Sequence, residues 1–375
     1  MSGIPFSIIN AFTTDTYGGN PAVAIIVQEF PESDDMQKIA ANFNQPMAAF
    51  IRPIDHDSEV ANFEIRWYTI ASEVPLCGHA TLASSGYLFA TPSLVSPSVH
   101  TLRFRAKTGN VLTTRRLGDW IEIGMSAAVL QVPPAEEAAR LKSAVQKGLG
   151  KEVTVKSVRV GGDVYESYLL AEVDEENNVA GITPDHEALL STGYMVNIIT
   201  SSSSDPGVSF VSRMFAPQVG VPEDPVCGSA HGLLGPYWSQ KLAKGDTEML
   251  AKQVSKRGGT LRVSWNEKEN WLTLAGQTKI VLKGELLPQF NLRFDLPVQN
   301  DLQDLCQLGL RAPEADLNCD VLEHHHSGRQ RNGRARKSND MDCAAVPDCL
   351  EALIEGGLCP DEVDRYVNGQ RLLCL

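Results

Sequence analysis

The sequence lacks the marks of several protein classes at once. It contains no run of about 18 apolar residues, so nothing in it reads as a bilayer-spanning helix. It has no positive excess: 33 Lys and Arg against 46 Asp and Glu leave a net charge of −13, which repels phosphate backbones and argues against a nucleic-acid partner. Only two of its eight cysteines, Cys77 and Cys227, fall in the first 300 residues, so a disulfide framework is not what braces the core. The N-terminal Met1-Ser2-Gly3-Ile4-Pro5-Phe6 lacks the basic stretch and long apolar run of a secretory leader and reads as the start of a strand. A cytoplasmic protein acting on a small molecule, with no membrane and no nucleic acid as partner, is the expectation.

What is present is an ordinary globular composition, 43% hydrophobic and 21% charged, over 375 residues, enough for two domains that each bury a core. The chain also resembles itself. Glu73-Val74-Pro75-Leu76-Cys77-Gly78-His79-Ala80 returns as Glu223-Asp224-Pro225-Val226-Cys227-Gly228-Ser229-Ala230, 150 residues later and identical at five of eight positions. Lys107-Thr108-Gly109 and Arg257-Gly258-Gly259 each follow their cysteine by 30 to 32 residues, and Trp120-Ile121-Glu122-Ile123 answers Trp271-Leu272-Thr273-Leu274. An internal duplication follows, with one half over residues 1–127, the other over 128–290, and a tail over 291–375.

Each half reads as a strand, a tight Pro-x-Cys-Gly turn, a helix of small residues (Ala80 to Phe89; Ala230 to Leu242) and then alternating strands. Those strands are Arg103 to Thr113, Trp120 to Gly124, Thr260 to Trp265 and Trp271 to Ala275. A further helix over Ser33 to Phe43 opens on the acidic Ser33-Asp34-Asp35, and Pro133 to Leu149 connects the halves. In the tail, three histidines (324–326) lead into a basic polar stretch (329–337), read as a disordered linker before two short amphipathic helices (346–354 and 361–373).

Cysteine before Gly-His-Ala or Gly-Ser-Ala, at a helix mouth, sits where unpaired N–H groups and the helix dipole favour negative charge. The expectation is a thiol of lowered pKa, able to act as general base or acid. One such thiol per half, facing across an approximate twofold axis, is an arrangement that removes a proton from one face of a carbon and returns one to the other. Burial as packing residues is the bland alternative for both cysteines. A zinc site from Cys77, His79, Cys227 and His231 would need all four side chains to converge from two helix openings, and the spacings argue against it; no metal and no cofactor are expected. His79 is the better catalytic candidate of the two histidines because it lies at the helix opening. Asp224, before Pro225, either caps the following turn or projects toward the substrate. Asn20 is either a turn residue or a donor in the cleft, and Trp67, Tyr68, Tyr237 and Trp238 are candidate core.

Ala11-Phe12-Thr13, Gly18-Gly19-Asn20-Pro21-Ala22, Cys77-Gly78-His79-Ala80-Thr81-Leu82, the octapeptide at Glu223 with His231, Arg257-Gly258-Gly259 and Leu274-Ala275-Gly276-Gln277 together resemble the phenazine-biosynthesis (PhzF-like) proteins. The resemblance, running from about residue 5 to 288, implies an α+β fold of the diaminopimelate epimerase-like type: two pseudo-symmetric domains, each a sheet wrapped round a central helix, with the active site between them. It also implies a cofactor-independent isomerase or epimerase with a small anionic substrate, and puts Asp224, His79 and Ser229 at family active-site positions; Cys77 and Cys227 resemble instead the cysteine pair of related racemases and epimerases of the same fold, and Asn20, Gly78, Gly228, Ser229 and Ala230 are candidate substrate-binding positions. A biosynthetic setting and a possible homodimer go with it. The family's glutamate proton carrier falls here on Met47, in Pro46-Met47-Ala48-Ala49-Phe50, and a thioether carries no proton. Three readings follow from the resemblance and that departure: a two-thiol epimerase, a one-base isomerase using Asp224 with His79, and a non-catalytic binding protein that kept the fold.

Overall fold

The structure, a computed structural model, describes residues 3–56 and 59–287, which belong to one compact unit. The histidine run, the basic stretch and the two short helices of the tail lie outside the described residues. No described helix is long and apolar enough to cross a membrane.

The first half runs β1 (Ile4–Ala11), β2 (Asn20–Ile26), α1 (Ser33–Phe43), β3 (Ala48–His56), β4 (Val60–Tyr68), β5 (Glu73–Val74), α2 (Gly78–Phe89), β6 (Thr101–Ala106), β7 (Val111–Leu117) and β8 (Trp120–Ser126). After β9 (Leu130–Gln131) and α3 (Ala135–Leu149) the order repeats: β10 (Val155–Gly161), β11 (Tyr168–Val173), α4 (His186–Leu190), β12 (Val196–Ser202), β13 (Phe210–Ala216), β14 (Val221–Asp224), α5 (His231–Lys241), β15 (Met249–Gln253), β16 (Gly259–Asn266) and β17 (Trp271–Gly276), followed by β18 (Thr278–Leu286). The pairing repeats as well. In the first half β1–β2 is antiparallel, β2–β3 parallel, β3–β4 antiparallel, β4–β6 parallel, and β6–β7–β8 antiparallel. The second half has the same alternation through β10, β11, β12, β13, β15, β16 and β17.

The halves meet along an antiparallel ladder between β8 and β17, in which Ile123 faces Leu274. These two occupy the same position of the duplicated sequence, so the ladder's centre is a local twofold axis. On either side of it the halves exchange strands: β9 joins β10, and β18 joins β1.

Each half wraps its sheet round one helix because that helix has no strongly charged face. From His79 to Leu88 in α2 and from His231 to Ser239 in α5 every residue is buried; neither stretch carries Asp, Glu, Lys or Arg, and Thr81 and Ser85 donate their hydroxyls to the carbonyls of Cys77 and Thr81. By contrast α1 buries only Met36, Ile39 and Ala40, one stripe at helical spacing, and lies on the outer face of the first sheet. Strand β2, between α1 and α2, is buried at every residue, which its unbroken Ala22-Val23-Ala24-Ile25-Ile26 run anticipates. The shared core takes in Cys77, Cys227, Met47, Trp67 and Trp238.

Some boundaries differ from the sequence reading. Arg103 to Thr113 is a hairpin rather than one strand, because Gly109 takes a φ of 86° and turns the chain back. The capping position of α1 is Glu32, whose side chain makes no cap bond, so Asp34 and Asp35 act only through the first turn. The α2–β18 contact is tight at Gly86, where an added Cβ would run into the Thr278 hydroxyl. Gly86→Ala should therefore lose stability by about 1–3 kcal/mol from overpacking, against a gain of about 1 kcal/mol in helix propensity. Urea unfolding checks it, and a variant more stable than the parent would refute the close contact.

Candidate active site

Both cysteine turns are held by the glutamate that opens the repeated octapeptide. Arg66 donates Nε and Nη2 to the two carboxylate oxygens of Glu73, each at 2.7 Å. Arg213 does the same to Glu223, at 2.6 and 2.9 Å. These forks are geometrically specific as well as strong. Each arginine also lies against the aromatic ring two residues on, Tyr68 and Phe215 respectively. The two arginines were not singled out from sequence; the signal that could have found them is the glutamate conserved between the repeats.

The two turns then diverge. Cys77 is itself the N-cap of α2, extended at φ −147° and ψ 111°, with its Sγ 3.3 Å from His79 Nδ1. Cys227 sits further from its helix: α5 starts at His231, and residues 228–230 form a turn before it. The Cys227 sulfur lies 3.3 Å from Ser229 Oγ and accepts the Ala230 N–H at 3.3 Å, while Ser229 Oγ is 3.0 Å from the phenolic oxygen of Tyr168. The equal helix-mouth placement expected for both thiols thus holds for Cys77 alone.

Asp224 connects the halves. Its side chain is buried; Asn20, at the start of β2, donates Nδ2 to Asp224 Oδ1 at 3.1 Å and to Val226 O at 3.0 Å. Burial pushes the Asp224 carboxyl up to about 6, against the opposing pull of His79 and with a further push from Cys77. The Val226 N–H and Asn20 bond the carboxylate and lower it. The capping reading of Asp224 holds, since its carboxylate accepts the Val226 N–H of its own turn, and the carboxylate also faces His79 and Cys77 of the other half. Asn20 opens the second strand of the β1–β2 hairpin, paired with Ala11, and its side chain reaches across to the second half.

The expected lowering of the thiol pKa fails for Cys227. Burial raises it strongly and the Asp224 carboxylate raises it further, more than the Ser229 hydroxyl and the N–H groups of Ala230 and Ser229 can offset. Tyr165, also raised by burial and by Cys227, donates its hydroxyl to Ser126 O at 2.8 Å. His231 takes the core role: Nδ1 donates to Cys227 O at 2.8 Å, and burial lowers its pKa to about 4. It thus stands apart from the thiols, and among the described residues no group of three or more His, Cys, Asp or Glu could hold a metal. Met47 is buried in the shared core.

Gly78 and Gly228 sit at matched positions with room above them. A Cβ on Gly78 would find no atom nearer than Met125 at 4.0 Å, and one on Gly228 none nearer than Leu274 at 3.8 Å. Neither has a positive φ. Packing and backbone conformation leave both glycines unexplained. By contrast Arg257-Gly258-Gly259 is structural: Arg257 donates to the carbonyls of Gly19 and Gly18 at 2.7 and 2.9 Å, and a Cβ on Gly259 would meet Phe12 O at 2.9 Å.

The sequence profile of the phenazine biosynthesis-like protein family matches residues 9–284, which takes in both thiol turns, Asn20 and Asp224. The chain belongs to this family. An uncharacterised isomerase of Halalkalibacterium halodurans is 35% identical over 287 residues, 76% of this chain and 100% of the relative. The human phenazine biosynthesis-like domain-containing protein is 36% identical over 299 residues, covering 76% and 99%. Among solved structures, a PhzF-family phenazine biosynthesis protein of Enterococcus faecalis is 31% identical, with a TM-score of 0.66 over 77% of this chain and all of its own. The phenazine biosynthesis-like fold, with its two halves of sheet round helix, is the one described above.

In this phenazine biosynthesis-like protein Asp224 and His231 make opposite contributions to pH-dependent stability. A carboxyl raised to about 6 contributes stability that is complete below its ordinary value of about 3.9 and is lost as pH rises through 6. A histidine lowered to about 4 contributes stability that is complete above about 6.5 and is lost as pH falls toward 4. Each shift of two units or so is worth about 3 kcal/mol, so between pH 4 and 6.5 the two nearly cancel. Asp224→Asn should be more stable than the parent above pH 7, by about 1–3 kcal/mol, and should lose stability on acidification where the parent is flat. Calorimetric Tm values from pH 4 to 8 test this; parallel curves for the two proteins would refute it.

Proposed function

We propose that this phenazine biosynthesis-like isomerase moves a proton, without a cofactor, at a carbon beside the carboxylate or carbonyl of a small anionic molecule, with Asp224 as base and the Cys227 thiol as acid. The observation that carries the reading is the burial of one carboxylate against His79 and Cys77 of the first half, three residues before Cys227 of the second. With a pKa near 6, Asp224 is mostly ionised at neutral pH, while Cys227 holds its proton. The carboxylate takes the substrate proton: a C–H bond breaks, an O–H bond forms, and the electron pair enters the adjacent carbonyl as an enolate.

Protonation of Asp224 then removes the negative charge that, on top of burial, had held the thiol proton in place. Cys227 now gives that proton to carbon: the S–H bond breaks, a C–H bond forms from the enolate pair, and Ser229 and the Ala230 N–H receive the thiolate. Return of the proton from Asp224 to sulfur resets the site. Cys77, with His79 at 3.3 Å, is the corresponding carrier on the first half and the partner for Cys227 where the reaction inverts a carbon. The open space over Gly78 and Gly228 supports a substrate lying on bare backbone N–H groups, where an enolate oxygen is stabilised. The family's name supports a biosynthetic setting.

The test is solvent exchange. A panel of amino, hydroxy and unsaturated carboxylic acids is incubated with the protein in deuterated water, and loss of carbon-bound hydrogen is followed by proton NMR. Asp224→Asn and Cys227→Ala should each slow exchange by about 10²–10⁴-fold. Exchange undiminished in both variants would leave no role for the pair.

A further inference from the structure

The turn that carries the carboxylate and the second thiol is held by side chains at four consecutive carbonyls. Gln253 Nε2 donates to Asp224 O at 2.7 Å, Ser255 Oγ to Pro225 O at 2.6 Å, Asn20 Nδ2 to Val226 O at 3.0 Å and His231 Nδ1 to Cys227 O at 2.8 Å. Four side chains, from β15, the segment after it, β2 and α5, converge on four residues of backbone. Gln253 acts twice, since its Oε1 also accepts the Cys227 N–H at 2.9 Å. Its amide thereby closes a bridge across Asp224-Pro225-Val226-Cys227, joining the two residues that bear the ionisable groups.

A leucine or methionine would fill the volume of this buried side chain, and burying an amide carries a desolvation cost unless its hydrogen bonds are made. Both bonds here go to the backbone of the proposed acid and base. We propose that Gln253 is a positioning residue for the proton-transfer pair, setting the distance and orientation between Asp224 and Cys227 without touching either reactive group. This rests on the reading of Asp224 and Cys227 given above. A misplacement of about 1 Å in such a pair is enough to cost two orders of magnitude in rate.

The groups facing the Asp224 carboxyl are His79 and Cys77 from the first half, Cys227 and the Val226 N–H from its own turn, and Asn20 from β2. Its titration therefore reports the geometry of the turn, and it can be followed without a substrate. The experiment is carbon NMR of the full chain labelled at aspartate carboxyls, with the Asp224 signal assigned by its loss in Asp224→Asn. The parent should titrate near pH 6. In Gln253→Met, which keeps the bulk and removes both bonds, the turn relaxes and admits water, and the midpoint should fall by about one pH unit.

Ser255→Ala, which frees Pro225 O and the Gly258 N–H but leaves both Gln253 bonds in place, should move it by less than half as much. A folded Gln253→Met with the parent's midpoint, or a Ser255→Ala shift as large as that of Gln253→Met, would overturn the positioning role, leaving Gln253 a stabiliser seen in Tm alone. Gln253→Leu covers the case in which the methionine variant does not fold. It too removes both bonds without adding charge, and a folded Gln253→Leu with the parent's midpoint overturns the proposal as well. Failure of the exchange test with a normal Gln253→Met shift would instead remove the functional reading while leaving the positioning of Asp224 in place.

Discussion

The β8–β17 ladder is the constraint from which the rest of the molecule hangs. Backbone groups in a buried sheet must be paired, and here the last strand of each half's repeated order finds its partner in the equivalent strand of the other. Because Ile123 faces its own counterpart Leu274, every element on one side acquires a mate related by the same axis. The exchange of β9 and β18 across the axis then makes each half's sheet incomplete without the other. That is why a carboxylate from one half can be held against a histidine and a thiol of the other.

The symmetry of the backbone does not extend to the chemistry. Glu73 and Glu223 keep the same arginine fork, so both turns are anchored alike. Yet Asp224 stands where the first repeat has Val74, Ser229 where it has His79, and Tyr168 at the start of β11 where Asn20 starts β2. The polar substitutions gather around Cys227 and the carboxylate, while the first half contributes His79 and Cys77. Duplication thus supplied two equivalent turns, and divergence turned one into the charged side of the site. The charge is costly: a buried carboxyl with a pKa near 6 opposes folding at neutral pH.

Much of this is legible in the chain itself. The 150-residue offset announced two similar halves, the small-residue run after each Cys-Gly announced a helix, and the family resemblance placed that helix inside its sheet. Paired cysteines at matched positions singled out both turns. The hairpin at Gly109 was missed because its strands are short and share one alternating pattern, so only the positive φ marks the break. The two arginines and Gln253 were missed for a different reason: each lies on a strand distant in sequence from the turn it holds, and local pattern carries no record of long-range hydrogen bonds.

The sequence by itself determined the duplication, the helix and strand types and the family, because those depend on periodicity and on motifs that are local. Only the tertiary structure decided which groups are charged. A cysteine at a helix mouth reads as a thiolate from sequence, since the dipole is a local effect. Burial together with the Asp224 carboxylate reverses that for Cys227, and burial likewise turns His231 into a neutral strut. Desolvation and the field of a neighbouring carboxylate are set by what packs around a group, and that is fixed only when the two halves close on each other.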